Sequence, residues 1–341
     1  MSGPARAAIV GWALRTPLGN QPGEVARRFL AGEQAGRASP RFDQSTYAIR
    51  RGAAIQGEPP TTRARRLLRR GALFALDAAD EARAQAPAAK GVRLGLFAAV
   101  GGLRAQWDDL LPALAEQAPD GSRSWERGLK RVHPFWMLQH LSNNAQALLS
   151  AEIDARGEGA TFAGALAAAD ALASAARALD DGAIDAALVI AHDSLFDPET
   201  LVELGSRHPG ALPGEGAAAV VLMRPGDVGA AALAFVTAAS TADGGPLEAR
   251  AETVSRAAAA ALDGRPPMLV DEPGPHGLEA ALGALGAALP LVQAIVLGAL
   301  LRLGPLPPAD GLRKSELTVL GLAVGVPGLA SAVLIEIPEG A

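Results

Sequence analysis

The hydrophobic and polar positions of the chain alternate between short apolar runs and longer segments with helical spacing. Apolar runs typical of buried strands lie at residues 7–13, 92–100, 186–191 and 217–223. Between them, apolar side chains recur about every third or fourth residue, as in residues 63–85, which is typical of a helix. Continuous apolar strands separated by helices predict an α/β fold with a mainly parallel sheet that is buried on both faces.

The remaining predicted helices of the first part lie at residues 22–31, 133–156 (broken near Ser142 and Asn143) and 167–179. A shorter copy of the same alternation follows in the last third of the chain. In the last third, strands are predicted at 231–237, 268–270, 317–324 and 332–337, and helices at 247–262, 278–289 and 291–302. We expect two similar halves, residues 1–226 and 227–341, in one compact body, because no low-complexity linker separates them.

Composition narrows the classes of function. Of the 341 residues, 49% are hydrophobic and 20% are charged, with a net charge of -5, which excludes a disordered chain and argues against a general nucleic-acid binder. The chain has no cysteine, which excludes disulfides, cysteine-ligated metals and thiolate nucleophiles. The five histidines lack metal-ligand spacing and no phosphate-binding glycine motif occurs, so no metal and no cofactor are expected.

Targeting signals are not expected in this chain. The N-terminal residues contain no apolar run of signal-peptide length. The longest apolar stretch, residues 287–301, contains Pro290 and Gln293, and a buried core helix explains it better than a membrane span. The sequence therefore predicts a cytoplasmic protein with no membrane span.

Five segments, in order along the chain, carry motifs of one family. They are residues 9–20 with a Thr-Pro-Leu-Gly turn, 141–159 with an Asn-rich helix and a Gly turn, 171–195 with Gly182 and Asp185, 212–222 with Gly-Glu-Gly-Ala, and 291–308 with a closing Pro-Pro turn. Together these segments resemble the β-ketoacyl synthases of the thiolase fold. The resemblance implies a thiolase-like, five-layered α/β/α/β/α architecture with two similar halves.

The catalytic residues of that family do not carry over to this chain. The resemblance places the family's nucleophilic cysteine at Ala165, its two histidines at Pro273 and Ala284, and its lysine at Glu279. Condensation needs covalent acyl transfer and charge stabilisation of an enolate, and these side chains supply neither. No independent condensing activity is therefore expected, and no catalytic residue is assigned.

The resemblance implies a non-catalytic partner subunit of the chain-length-factor type. Such a subunit would form a heterodimer with an active β-ketoacyl synthase in fatty-acid-like or polyketide biosynthesis, on substrates carried by an acyl carrier protein. A second interpretation is a thiolase-like, non-enzymatic adaptor or scaffold protein for another assembly. A third is an enzyme with new chemistry around His192 or Glu215.

Family pairing implies a partner interface along the strand that precedes the nucleophile turn, here residues 159–164 with Phe162. The apolar side chains Phe135, Trp136 and Leu138 would add buried area beside this strand, although core packing is the first interpretation of Phe135 and Trp136. An interface formed along a sheet edge suits two homologous subunits, because main-chain hydrogen bonds extend the sheet across it.

Two further features have a functional and a structural interpretation. The cluster of arginines that includes Arg63, Arg66 and Arg70 is either a solvated start of a helix or a docking patch for an acidic carrier protein. His192 follows a buried strand, and ligands of α/β folds bind at the carboxyl ends of strands. His192 is therefore either a ligand-binding residue or a structural hydrogen-bonding residue.

Overall fold

The computed structural model describes residues 5–39, 42–102, 107–241, 269–271, 275–303, 318–325 and 329–338. Nine strands within these ranges form one continuous sheet. They are β1 (Arg6–Arg15), β2 (Leu94–Val100), β3 (Ala160–Ala163), β4 (Ala186–Ser194), β5 (Glu215–Met223), β6 (Ala234–Thr241), β7 (Leu269–Asp271), β8 (Thr318–Gly325) and β9 (Leu329–Glu336). The helices are α1 (Pro22–Leu30), α2 (Arg70–Gln85), α3 (Trp107–Leu114), α4 (Trp125–Leu129), α5 (Trp136–Gln139), α6 (Asn144–Ile153), α7 (Ala167–Asp180), α8 (Pro198–Arg207), α9 (Pro225–Val228), α10 (Leu278–Leu282) and α11 (Leu289–Leu303).

The strand order reveals an internal repeat. The sheet runs β3-β2-β4-β5-β1-β6-β9-β8-β7, and β1 and β6 join its two parts. Read outward from this joint, β6-β9-β8-β7 repeats β1-β5-β4-β2 of the first part. The counterpart of β3 is absent from the described residues of the second part. The prediction of two similar halves is confirmed, and the boundary near residue 226 stays a prediction.

The prediction of a mainly parallel sheet is wrong. Only the pairs β2–β3, β2–β4 and β7–β8 are parallel among the described strands, whereas β5 is antiparallel to both of its neighbours. All residues of β5 are nevertheless buried. A continuous apolar strand therefore indicates burial on both faces, and it does so whichever direction the neighbouring strands run.

Helices cover the sheet in layers. The inner helices α7 and α11 contact each other and pack between the two parts of the sheet, while α2 and α6 cover the outer face of the first part. Small residues allow this close packing, since a Cβ atom on Gly11 of β1 would lie 2.2 Å from the Ala82 carbonyl oxygen in α2. On the outer face of the second part, Leu320 and Leu334 form an apolar cluster, and the predicted helix 247–262 lies outside the described residues.

Three helix predictions need correction. The helix predicted from residue 63 begins at Arg70, because Leu68 and Arg69 adopt extended backbone after a short 3-10 turn. The region 278–302 contains α10, a 3-10 turn and then α11, whose first turn accommodates Pro290. Helix α8 was not predicted, although its Asp197 cap, which accepts from the Thr200 N–H, followed by Pro198 is a recognisable helix start.

The apolar segment predicted to be a core helix is confirmed as one. Residues 286–303 form the one segment, within the described ranges, that is long and apolar enough to cross a membrane. However, 83% of this segment is buried inside the structure. Because α11 packs against α1, α7, β8 and β9, the apolar character is explained by the centre of the fold.

Candidate functional site

A strained turn joins β3 to α7 and carries Ala165. Gly164 has φ +121°, and Leu166 adopts the left-handed conformation with φ 61° and ψ 13°, directly before α7 begins at Ala167. A left-handed leucine costs roughly 1–2 kcal/mol, and such strain is concentrated at functional sites. The turn therefore keeps the geometry that positions a nucleophile at a helix N-terminus, but Ala165 offers only a methyl group.

The segment that carries Ala284 lies against this turn. The Leu166 N–H donates to the Gly286 carbonyl at 3.4 Å, which joins the start of α7 to the segment before α11. The Ala284 N–H donates to the Leu212 carbonyl at 2.8 Å, and the Ala284 carbonyl accepts from the Gly214 N–H at 3.0 Å. The structure thus brings together the segments of Ala165 and Ala284, the two positions that the resemblance assigns to the family's cysteine and one of its histidines. Pro273 lies outside the described residues.

Glu279, which the resemblance assigns to the family's lysine position, is half-buried and interacts with the buried carboxyl group of Asp271. Glu279 lines a cavity of about 590 Å³ together with Arg50, Arg51 and Ala284. Burial, and then the neighbouring Asp271, raise the pKa of Glu279. Burial also raises the pKa of Asp271, whose oxygens accept from the Leu278 N–H and the Gln293 side-chain amide, each at 2.9 Å. This environment disfavours charge at Glu279.

Asp193 connects the first part of the sheet to the start of α11. The side chain is 3% exposed, and its Oδ2 accepts from the Ala287 N–H at 2.9 Å while Oδ1 accepts from the Ser194 N–H at 2.8 Å. A Cβ atom on Gly101 or Gly286 would lie about 2 Å from this carboxylate (1.9 and 2.0 Å). Sequence reasoning did not identify this role, because the contact joins residues that are 94 positions apart.

His192 lies beside Asp193 and lines a second cavity, of about 160 Å³. This cavity lies at the carboxyl ends of β2 and β4, as strand position predicts for a ligand site. Burial lowers the pKa of His192 to about 4, although the charge of Asp193 acts in the opposite direction. The imidazole is therefore neutral at pH 7.

The predicted interface residues lie on the edge strand β3 and on the segment around α5. Among the described strands β3 pairs with β2 alone, and its Phe162 packs partly against the core. Phe135 and Leu138 are 48% and 46% exposed, whereas Trp136 is half-buried and stacks on His140 at 4.3 Å. Met137, which the sequence analysis considered with Phe135 and Trp136 as a core or partner-contact residue, is 66% exposed. Three further exposed apolar side chains of this region were not considered: Trp125, Leu129 and Leu141.

The arginine cluster separates into exposed and internal side chains. Arg63 and Arg66 are exposed, so docking of a carrier protein at these two positions stays a prediction. The Arg70 side chain is 15% exposed and forms ion pairs with Glu215 at 3.0 Å and Glu58 at 2.8 Å. Glu215, which is 1% exposed, also accepts from the Ile55 N–H. These contacts make Arg70 and Glu215 a buried structural pair.

Among the residues that the structure describes, no three His, Asp or Glu side chains are grouped to hold a metal ion. The turn at Ala165 supplies neither a nucleophile nor an ionisable side chain, and the nearby Ala284 is equally inert. The polar groups of interest lie instead in two cavities, one beside Glu279 and one beside His192.

Comparison with protein-family models gives a match to the family described as "Beta-ketoacyl synthase, N-terminal domain" over residues 5–227. This match covers more than half of the chain, and the chain therefore belongs to the β-ketoacyl synthase family. A search of curated proteins gave no match.

Solved structures confirm the thiolase-like α/β/α/β/α fold with two similar halves. "The ishigamide ketosynthase/chain length factor" is 17% identical with a TM-score of 0.76, covering 98% of this chain and 99% of that chain. A β-ketoacyl synthase from Burkholderia phymatum STM815 is 18% identical with a TM-score of 0.75, covering 98% and 100%. A type II PKS acyl-carrier protein in complex with its ketosynthase bound to the hexaketide, AntDE:AntF, is 16% identical with a TM-score of 0.74, covering 98% and 100%.

Proposed function

We propose that this chain is a non-catalytic β-ketoacyl synthase-like subunit that pairs with an active ketosynthase in fatty-acid-like or polyketide biosynthesis. The observation that carries the proposal is the turn at Ala165, which keeps a strained backbone without a nucleophilic side chain. The side chain of Ala284, on the adjoining segment, has no group that donates a hydrogen bond to a developing oxyanion, and its N–H already donates to the Leu212 carbonyl. A fold that is kept without its chemistry suits a subunit whose role is assembly.

The edge strand β3 supports pairing. One side of β3 bonds to β2, and the other side presents main-chain groups that a second chain can extend. The exposed apolar side chains Phe135, Met137 and Leu138 precede this strand in the chain, and side chains of this kind mark interaction surfaces when they are contiguous. A partner with a matching edge strand would form a shared sheet and bury these side chains.

The substrate of the complex would be an acyl group on an acyl carrier protein, held by the active partner. Solved relatives described as a ketosynthase/chain length factor and as a ketosynthase with its acyl-carrier protein support this assignment. The competing interpretation is an adaptor or scaffold that pairs with itself or with an unrelated protein. Glu279, a half-buried acid where the family has lysine, is compatible with both interpretations.

Co-expression of this chain with candidate active ketosynthases, followed by co-purification and light scattering, tests the proposal. We expect a one-to-one heterodimer. Leu138→Asp should separate the two chains, because an unpaired carboxylate buried at an interface costs several kcal/mol. Val202→Asp is the matched control, since Val202 is 61% exposed on α8, away from β3 in the chain.

Two outcomes of this experiment decide against the proposal. A monodisperse monomer, alone and with the synthase, would exclude the interface at β3. A homodimer that does not bind the synthase, and that Leu138→Asp still disrupts, would support the adaptor instead.

A further inference from the structure

A cavity of about 550 Å³ lies at the amino ends of β2 and β4, where α2 and α6 end. These strands are parallel to β3, whose carboxyl end leads into the turn at Ala165, so the cavity and that turn lie at opposite ends of the strands. Ligand-binding clefts typically measure about 300–1,000 Å³. The cavity is therefore large enough for a small organic molecule, and neither Ala165 nor Ala284 lines it.

Basic side chains outnumber acidic ones in the wall of this cavity. Among the described residues, the wall has one acidic side chain, Asp154, and four basic ones: Arg83, Lys90, Arg93 and Arg156. Arg93 pairs with Asp185 at 2.9 Å, and Arg156 pairs with Asp154 at 2.9 Å. Arg83 and Lys90 form no ion pair with a described residue, so these two cations are available to a ligand.

Arg83 differs from the other arginines that are buried or half-buried in the described part of the chain. Each of the others binds a protein side chain: Arg15, Arg28, Arg65, Arg69, Arg70 and Arg224. The half-buried Arg83 guanidinium donates to no described residue, and its nitrogens are not shielded from solvent. The helix dipole favours a cation in the last turn of α2, but this effect leaves the N–H donors of Arg83 free to bind a ligand.

Apolar side chains form most of the remaining wall. They are Ala86, Ala89, Val92, Leu94, Ile153 and Val221. Val92 is 37% exposed, and Leu94 and Ile153 are half-buried, so apolar surface faces the cavity beside the two available cations. An inorganic anion would leave this surface in water, whereas an anion with an apolar body would cover it, which is favourable in proportion to the area covered.

We propose that this cavity binds a small phosphate monoester with an apolar body. The phosphate lies on Arg83 and Lys90, and the body covers the apolar side chains of the wall. A phosphate monoester carries a charge of about −1.5 to −2 at pH 7, which matches two cations, and a guanidinium binds phosphate oxygens with two parallel hydrogen bonds. The proposal does not rest on the partner or on the chemistry proposed for the chain.

Phenyl phosphate is a suitable probe, and isothermal titration calorimetry of the full chain at low salt measures its binding. We expect one-to-one, saturable binding that weakens as salt is added, because ions screen the attraction between charges. Arg83→Gln should weaken binding about tenfold, because it removes hydrogen bonds between charged groups. Arg27→Gln is the matched control and should bind as the wild type does, since Arg27 is in the last turn of α1 and does not line the cavity.

Two further variants separate loss of the site from loss of the fold. Lys90→Gln, at an exposed position, should weaken binding without any change in the urea unfolding curve. Ala89→Trp should fill part of the cavity and weaken binding with the charge of the wall unchanged. Binding of wild-type strength in Arg83→Gln or in Ala89→Trp would place the anion elsewhere on the surface and overturn the proposal.

Ligands that carry only one part of phenyl phosphate test the chemical class. Inorganic phosphate lacks the apolar body, benzyl alcohol lacks the charge, and benzoate has a single negative charge, so each should bind more weakly than phenyl phosphate. Inorganic phosphate that binds as tightly would show that the apolar wall contributes nothing, and benzyl alcohol or benzoate that binds as tightly would show the same of the paired cations. Any of these results, or no saturable binding by the wild type, would overturn the proposal.

Discussion

The two halves of the molecule share one strand order but differ in the length of the segments that connect their strands and helices. In the first half, residues 101–159 lie between β2 and β3, and they contribute four helices and most of the exposed apolar side chains. In the second half, only residues 272–288 separate β7 from α11, the counterpart of α7. The shortened half carries Pro273, Glu279 and Ala284, where the resemblance places catalytic side chains of the family. The first half presents the edge strand β3, whereas the second half has the shorter connection before its inner helix.

The same comparison holds at the joint between the halves. The first half contributes the strained turn at Leu166 and the carboxylate of Asp193, and the second half contributes the main-chain groups of Gly286 and Ala287 that meet them. Both contacts are hydrogen bonds between the halves, and the one from the Ala287 N–H to Asp193 is buried. Together they form a structural joint between the start of α7 and the segment before α11.

The largest effect that we expect is the rate lost through the missing oxyanion donors of the second half. Ala165→Cys restores a nucleophile on the strained turn, but we expect no condensation, because one oxyanion donor is worth about 10²–10³ in rate and Ala284 supplies none. Product formation from malonyl and acyl carrier proteins is the measurement, and Ala163→Cys, at an exposed position of β3, controls for an adventitious thiol. Condensation by Ala165→Cys alone would show that the second half still stabilises the transition state.

The next effect in size concerns the joint. Asp193→Ala removes the carboxylate that accepts from the buried Ala287 N–H and the part-buried Ser194 N–H, and it should lower the free energy of unfolding by about 3 kcal/mol, whereas Asp193→Asn should cost less. Asp197→Ala removes a helix cap within the first half and should cost about 1 kcal/mol. Urea unfolding of the three variants measures the order of these losses in the free energy of unfolding. Equal losses for Asp193→Ala and Asp197→Ala would mean that the joint adds no more stability than a single cap.

Sequence patterns predicted the strands better than the contacts between them. The apolar runs located β1, β2, β4 and β5 to within a few residues, because burial on both faces leaves a sharp boundary with polar turns. The direction of β5 was not encoded in that pattern. The break at Leu68 and Arg69 was also missed, because Arg65 forms ion pairs with Asp80 and Glu152, which are distant in sequence.

The candidate site was predictable only where a motif could be counted. Counting back from Gly182 and Asp185 assigned the family's cysteine position to Ala165. The structure has Ala165 on the turn before α7, and its equivalence to the cysteine stays a prediction. The contact of Asp193 with Ala287 and the cavity beside His192 depend on elements that meet only in the folded chain. No local pattern in the sequence predicts such contacts.

The smallest expected effect tests the buried acid of the second half. Burial raises the pKa of Glu279 above that of the unfolded chain, so this group contributes stability at low pH and loses it as the pH rises through the folded value. Glu279→Gln should therefore raise the free energy of unfolding at neutral pH, and the gain should be a fraction of the loss expected for Asp193→Ala. The difference between Glu279→Gln and the wild type should vanish below the usual glutamate pKa of about 4.3.

Unfolding curves at several pH values measure this difference, and Glu126→Gln, at an exposed position of α4, is the control that should show no such trend. The opposite change in stability follows if the Glu279 carboxylate pairs with Arg50 or Arg51, which line the same cavity. If the ionised carboxylate draws stability from these guanidinium groups, Glu279→Gln will be less stable than the wild type at pH 7 and the sign will reverse. That result would restore a charged, paired group to the position where the family has lysine, and the second half would then keep more of a polar site than its shortened chain indicates.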